Sequence, residues 1–288
     1  MTKVTEKRSK NNHVPVFICD FSPPKGGNPK LLEEVKLLNA DFISVAYNPG
    51  ISPRVNSIAV ASWIKENTGK DVIFTIATRD MNRVAIQSLL LGASLLGLDN
   101  MVVVKGDDFA DCYLKTPKTV HDFIPTDLIS SVRSMNESVD YTGKKLKSAT
   151  NFCIGASVDL NKNITQEIDL THKKIQAGAQ FFLLQAIFHP EPLQTFLDRY
   201  LEKYDEDITD KIFCGIQIMS DKSRHFGKIP KWITDDIAKG RSSTDIATQI
   251  LHNFIDNGIR SIYLMPPILK NGRRDYKVTQ KILDIFKN

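Results

Sequence analysis

Asp20 closes the apolar run VPVFICDF, Asp107 follows Gly106 after NMVVVK, and Gln185 ends the run FFLLQ. Two carboxylates and a carboxamide at the ends of apolar runs suit the handling of a polar heteroaromatic ligand. A carboxyl group can move a proton or steady a developing positive charge. A carboxamide offers a donor and an acceptor side by side to a ring edge. Other polar residues stand at similar places: Lys25, Tyr47 and Asn48, then Thr78, Arg79, Asp80 and Asn82, then Lys105 and Asp108, Ser157 and Asp159, His189, Gln217, Ser220 and Asp221. None of them forms a His–Cys group with metal-ligand spacing, a nucleophile elbow or a Ser/His/Asp arrangement, so an organic cofactor fits this set better than a metal.

Each residue also has a purely structural reading. A lone Asp20 in an apolar strand is costly to bury unless it is paired, for instance with a lysine across the barrel mouth. Asp107 after Gly106 suits an Asx-turn, and Gln185 suits the satisfaction of loop backbone. Asp80 reads best as the cap of the helix that follows it. Lys174, on a helical segment, reads as a solvated lysine. Both readings stay open for Asp20, Asp107 and Gln185.

The elements that would place these residues alternate between short apolar runs and longer amphipathic segments. The runs are 14–21, 42–47, 71–78, 100–105, 152–158, 181–185, 212–219 and 259–265. Helical spacing follows most of them: Leu31, Leu32, Val35 and Leu38; Ile58, Ala61 and Ile64; then 82–96, 125–137, 165–177, 192–203, 244–256 and 277–286. Residues 138–148 are polar and read as a surface excursion. Strands alternating with helices indicate a parallel sheet, and runs without strict alternation fit strands covered on both faces. The first run is not followed by GxGxxG, which disfavours a Rossmann fold. Eight such units in 288 residues predict an α/β protein of one domain, a (β/α)8 TIM barrel spanning 14–288, with function at the carboxyl ends of the strands.

The bulk properties agree. With 42% apolar and 25% charged residues the chain can build a substantial core. The net charge of +5 is concentrated near the start, and residues 1–13 read as a flexible basic arm. Basic residues interleaved with aromatics on one face are lacking, so nucleic acid is not an expected partner. The basic bias suits an anionic ligand. Cys19, Cys112, Cys153 and Cys214 lack paired spacing and read as reduced thiols of a cytoplasmic protein. No run is long enough to span a membrane, and the first residues lack a secretory apolar stretch.

At these same positions the sequence resembles the methylenetetrahydrofolate reductase family. FICDFSPPKGG is similar to its first-strand motif, an acidic residue followed by a double proline, and FISVAYNPG to its second strand. FTIATRDMN and the stretch NRVAIQSLLLGASLLGLDNMVVVKGD are the most similar, followed by CIGASV, KKIQAGAQFFLLQAIF and KIPKWI. Single motifs are weak; their order from Val14 to Pro267 carries the resemblance. It implies reduction of 5,10-methylenetetrahydrofolate to 5-methyltetrahydrofolate, with FAD as cofactor and NADH or NADPH as electron donor. It further implies Asp20 as the acid near N10, Asp107 as the electrostatic partner of flavin and pterin, and Gln185 with Tyr47 against the folate. Thr75, Lys105, Gly106, Asp107, Ser157 and Lys174 fall at FAD contacts, Lys174 near the phosphates. The chain departs from the family pattern at Asp20, usually glutamate; Ala46, commonly threonine; Thr75, usually histidine; and Lys105, commonly arginine. A flavin-free folate reductase, a folate-binding subunit without turnover, a homo-oligomer and an electron-supplying partner subunit remain as alternatives.

Overall fold

The computed structural model describes residues 1–10, 14–109, 116–120, 122–221, 223–225, 228–269 and 272–287. Its strands are β1 (Val16–Phe21), β2 (Phe42–Val45), β3 (Val72–Ala77), β4 (Asn100–Val104), β5 (Cys153–Val158), β6 (Phe181–Ala186), β7 (Ile212–Gln217) and β8 (Ser261–Met265). They form a closed parallel barrel in which β8 returns to β1, with Ile18 opposite Tyr263. The expected (β/α)8 architecture is the observed one.

Short capping signals set the helices. Asn56 accepts from the Ile58 amide to open α2 (Ser57–Thr68), which ends at Gly69 with φ +67°. Asn82 does the same for α3 (Arg83–Leu95) through the Ala85 amide. Then follow α4 (Pro125–Asn136), α5 (Ile164–Ala177), α6 (Glu191–Tyr204), α7 (Lys231–Ala238), α8 (Ser243–Asp256) and α9 (Tyr276–Lys287). The segment after β1 forms a 3-10 helix, Pro29–Leu37, capped by Asn28. A short antiparallel ribbon, Ser223–Arg224 with Ile268–Leu269, lies beyond the ends of β7 and β8.

Side chains on a strand alternate between faces, and here the two faces build two apolar layers. Phe17, Cys19, Ile43, Phe74, Ile76 and Ile154 pack outward with the helices. Val16, Ile18, Phe42, Ile73, Val102, Cys153, Phe181 and Phe213 fill the barrel interior. The interior is tight: a Cβ on Gly155 would lie 2.4 Å from the Phe181 ring.

The start of the chain differs from expectation. Instead of a flexible arm, Val4–Lys10 forms a helix, α1. Val4 is fully buried and joins the interior layer. Its amide donates to Asn100 Oδ1 at 3.0 Å, the Thr2 amide donates to Asp71, and Arg8 pairs with Asp210. The basic residues that suggested a solvated arm surround one valine that plugs the barrel floor. Cys19, Cys153 and Cys214 are buried free thiols, while Cys112 lies outside the described residues.

Candidate functional site at the barrel mouth

A cleft of about 460 Å³ opens at the carboxyl ends of the strands. Six residues that the resemblance assigns to folate or flavin line it together: Tyr47, Lys105, Gly106, Asp107, Ser157 and Gln185. Asn48, Arg79, Asp159 and Lys162 complete much of the wall.

The β4 end is shaped by a glycine and an arginine. Gly106 has φ +85°, and a Cβ there would come within 3.2 Å of Ala77 Cβ and 3.3 Å of Arg79 Cβ, so a side chain would be both strained and crowded. Arg79 is only 5% exposed. It donates to the Asp107 carbonyl at 2.6 Å, to both Asp80 carboxylate oxygens at 2.6 and 2.9 Å, and lies over the Phe109 ring. The exposed Asp107 thus stands on backbone anchored from below. Lys105 reaches outward to Asp108 at 2.9 Å.

Asp80 does not cap α3, contrary to expectation; Asn82 does. Burial raises the Asp80 pKa, but hydrogen bonds from Arg79 and Tyr47 outweigh it and hold the carboxyl below its ordinary range. Tyr47 is the counterpart: burial first, and then the Asp80 charge, push its hydroxyl well above the usual value. Arg79, Asp80 and Tyr47 link the ends of β2, β3 and β4.

Gln185 reaches the cleft by strand alternation, two residues beyond the inward-facing Leu183. The register between β6 and β7 shifts beside it, between Leu183 and Ala186. Gly215 permits it, since a Cβ there would lie 2.1 Å from the Leu184 carbonyl oxygen.

Two expected cofactor contacts are elsewhere. Thr75 sits on β3 beside Val102 and is 9% exposed. Lys174 is neither a solvated lysine nor part of the cleft wall. It is 5% exposed, donates to the Ser157 carbonyl and lies 3.8 Å from Glu167. Burial pulls its pKa below the ordinary lysine value, against the attraction of Glu167. Its amphipathic helix put it on the inner face, where it supports the end of β5 from behind.

Asp20 is paired, though with an arginine where the sequence suggested a lysine. Its carboxylate accepts from Tyr263 Oη at 3.1 Å and from Arg274 Nη2 at 3.2 Å. The side chains of the ion pair are 8% and 9% exposed. Loss of solvation, with the Asp20 charge adding to it, raises the Tyr263 hydroxyl well above its ordinary value. Tyr276 completes the surround, stacked on Phe21 and accepting from the Ser22 amide. Arg274 and Tyr263 were not singled out in the sequence. The available signal was Tyr263's place on an apolar strand and the basic pair Arg273–Arg274 after it.

The arrangement offers an exposed carboxylate, a carboxamide and a phenol from three strand ends around one cleft. A model of the methylenetetrahydrofolate reductase family matches residues 5–267. The chain belongs to this family. The match begins within α1 and extends through β8, so the family's segment takes in the whole barrel sheet.

Solved structures agree on the fold. An uncharacterized protein from Clostridium thermocellum, described as binding two copies of 5-methyl-5,6,7,8-tetrahydrofolic acid, superposes with a TM-score of 0.63 at 16% identity, covering 99% of each chain. The HMG-CoA lyase of Bacillus subtilis superposes with a TM-score of 0.53 at 12% identity, over 96% of this chain and 86% of that one. At such identities these likenesses speak for the barrel alone. Family membership supports a folate-related function.

Proposed function

We propose that the mouth cleft binds a reduced folate and that the chain reduces 5,10-methylenetetrahydrofolate to 5-methyltetrahydrofolate. The observation that carries this reading is the convergence of Asp107, Gln185 and Tyr47 on one cleft in a chain of this family. The similar structure from C. thermocellum holds 5-methyltetrahydrofolate, which adds support for the ligand. The cleft volume of about 460 Å³ falls within the roughly 300–1,000 Å³ of small-molecule sites.

In this reading the Gln185 carboxamide pairs with the pterin edge, where a fixed donor and acceptor select the ring. The Asp107 carboxylate, held by the Arg79 contact to its own backbone, opposes the positive charge that develops as the imidazolidine ring opens. Proton delivery near N10 is assigned to Asp20, whose position Tyr263 and Arg274 fix.

The residues fit the ring end of FAD. Gly106 presents bare backbone at the β4 end, with Lys105, Asp107 and Ser157 around it. Lys174, tied to Ser157 and Glu167, supports the wall and leaves any phosphate contact to Lys105 or Lys162 at the lip. When bound, the flavin would take hydride from NADH or NADPH and supply it to the folate. A second reading, folate binding without turnover, draws on the Asp20–Arg274 ion pair, which occupies the acid.

The test is an absorbance spectrum of purified protein, followed by NADH or NADPH and then methylenetetrahydrofolate. A flavin spectrum that bleaches and recovers only with the folate supports the reductase. Colourless protein that takes up no FAD yet binds 5-methyltetrahydrofolate sinks the flavin step and leaves the binder.

A further inference from the structure

The outer face of α3 carries an exposed apolar seam. From Val84 to Leu98 the sequence has no charged residue, and the helix buries Ile86, Leu90 and Ala93 against the barrel. Away from the barrel Val84, Leu91, Leu95 and Leu96 are exposed, Leu95 by 88%. Val120, Ile124 and Tyr141 are exposed beside them. The Val120 amide donates to the Arg79 carbonyl just before α3, Ile124 follows Phe123 under the Arg83 guanidinium, and the Tyr141 amide donates to Gln87. Half of the fourteen large hydrophobic side chains exposed among the described residues therefore gather around one helix. Single exposed leucines need no explanation, but a gathered set marks an interface.

The spacing of the seam selects its partner. Val84, Ser88, Leu91 and Leu95 follow one another by four, three and four residues, the pattern that packs on another helix at a crossing angle of about 20°. The seam is also symmetric about the midpoint between Ser88 and Leu91. In an antiparallel pair Val84 meets the partner's Leu95 and Ser88 meets the partner's Leu91, so a larger side chain faces a smaller one at each step. The cations at the two ends of α3 are already engaged: Lys65 donates to the carbonyls of Leu96 and Gly97 at 3.1 and 2.9 Å, and Arg83 to that of Asp122 at 2.9 Å. The exposed parts of the seven apolar side chains come to roughly 600 Å² on each copy, and about 1,200 Å² for the pair reaches the lower edge of a standard interface.

We infer that α3 is the two-fold interface of a homodimer, in which the seam of one chain packs antiparallel on that of a second copy. Such a contact is isologous, so it closes at two chains and leaves no seam exposed. The start of α3 lies at the mouth end of the barrel, because the helix follows β3. Antiparallel pairing therefore sets each mouth beside the partner's barrel floor. The two mouth clefts open in opposite directions, and the pairing holds whatever ligand they take.

Sedimentation velocity of the full chain, from about 0.5 to 50 μM, tests the pairing and should show a dimer within that range. Leu95→Glu, at a position too exposed to disturb the fold, should raise the dissociation constant about thirtyfold or more, the loss of one interface hot spot. Val84→Lys should weaken the dimer in the same way, while Leu201→Glu on the exposed side of α6 leaves it unchanged. Because positions 84 and 95 meet across the axis, mixing the Val84→Lys and Leu95→Glu chains should recover about tenfold of the loss through a new Lys–Glu contact. A chain that stays monomeric up to about 50 μM would overturn the inference, and so would a dimer that Leu95→Glu leaves intact. Equal weakening by Leu201→Glu would trace the effect to added charge and overturn the assignment to α3. Dissociation by both seam variants without recovery on mixing would overturn the antiparallel register.

Discussion

Asp20 shows how a single side chain takes its meaning from its partners. The carboxylate that the resemblance places at the acid position is drawn into a buried contact with Arg274 and Tyr263. Removing either member of a buried ion pair leaves the other uncompensated, a loss of about 3–5 kcal/mol. Asp20→Asn and Arg274→Met should therefore each lower stability by about 3 kcal/mol in urea unfolding. The double variant should lose less than the sum by about 1–3 kcal/mol; strict additivity would show that the pair is not coupled.

Lys174 makes the same point away from the cleft. Lys174→Met should cost about 3 kcal/mol, because it strips buried Glu167 of its cation. The folded-state pKa of Lys174 is depressed, so the unfolded chain binds that proton more tightly. Its titration therefore makes stability rise with pH between the folded value and the ordinary lysine value of about 10.4. The variant should lose that rise. Weakened flavin binding with unaltered stability would instead return Lys174 to the phosphate role that the resemblance implies.

Among the elements, α1 departs furthest from its sequence reading. Arg8 is buried and paired with Asp210, Val4 is fully buried inside the barrel, and burying one such valine side chain stabilises by about 1.5–3 kcal/mol. Deleting residues 1–10 also removes the Asn100 and Asp71 contacts. The truncated chain should unfold at a clearly lower temperature than the full chain; an unchanged midpoint would make α1 a mere arm. In β6 the run FFLLQ alternates as an ordinary strand, and that alternation alone carries Gln185 into the mouth. The register shift beside it needs the bare backbone of Gly215, which the sequence did not announce.

At the scale of the whole molecule, the closed barrel gathers residues from distant parts of the chain into one opening, so ligand binding and folding are linked. A ligand that binds only the folded barrel, present at 100 times its Kd, stabilises by about 2.7 kcal/mol. For a domain of this size that corresponds to a midpoint rise of roughly 5–10 °C. 5-Methyltetrahydrofolate should produce it in a thermal unfolding scan, and no rise at saturating concentration would count against the folate reading.

Much of this was legible in the residues themselves. Apolar runs alternating with amphipathic segments determined a parallel α/β barrel, because backbone pairing and periodic burial are local demands that each segment declares. The strand-end positions of Tyr47, Asp107, Ser157 and Gln185 followed from the same pattern, and the ordered motifs led to the family. Partnership was decided only by the tertiary structure. Asp20 meets Arg274 across 254 residues of chain, and Lys174 turns inward to Ser157. Val4 plugs a floor made by strands it precedes, and Arg54 and Arg274 line one cavity beside the mouth. Such pairings depend on which helix face and strand end arrive at the same point after closure, and charge compensation in a low-dielectric interior is settled there and not along the chain.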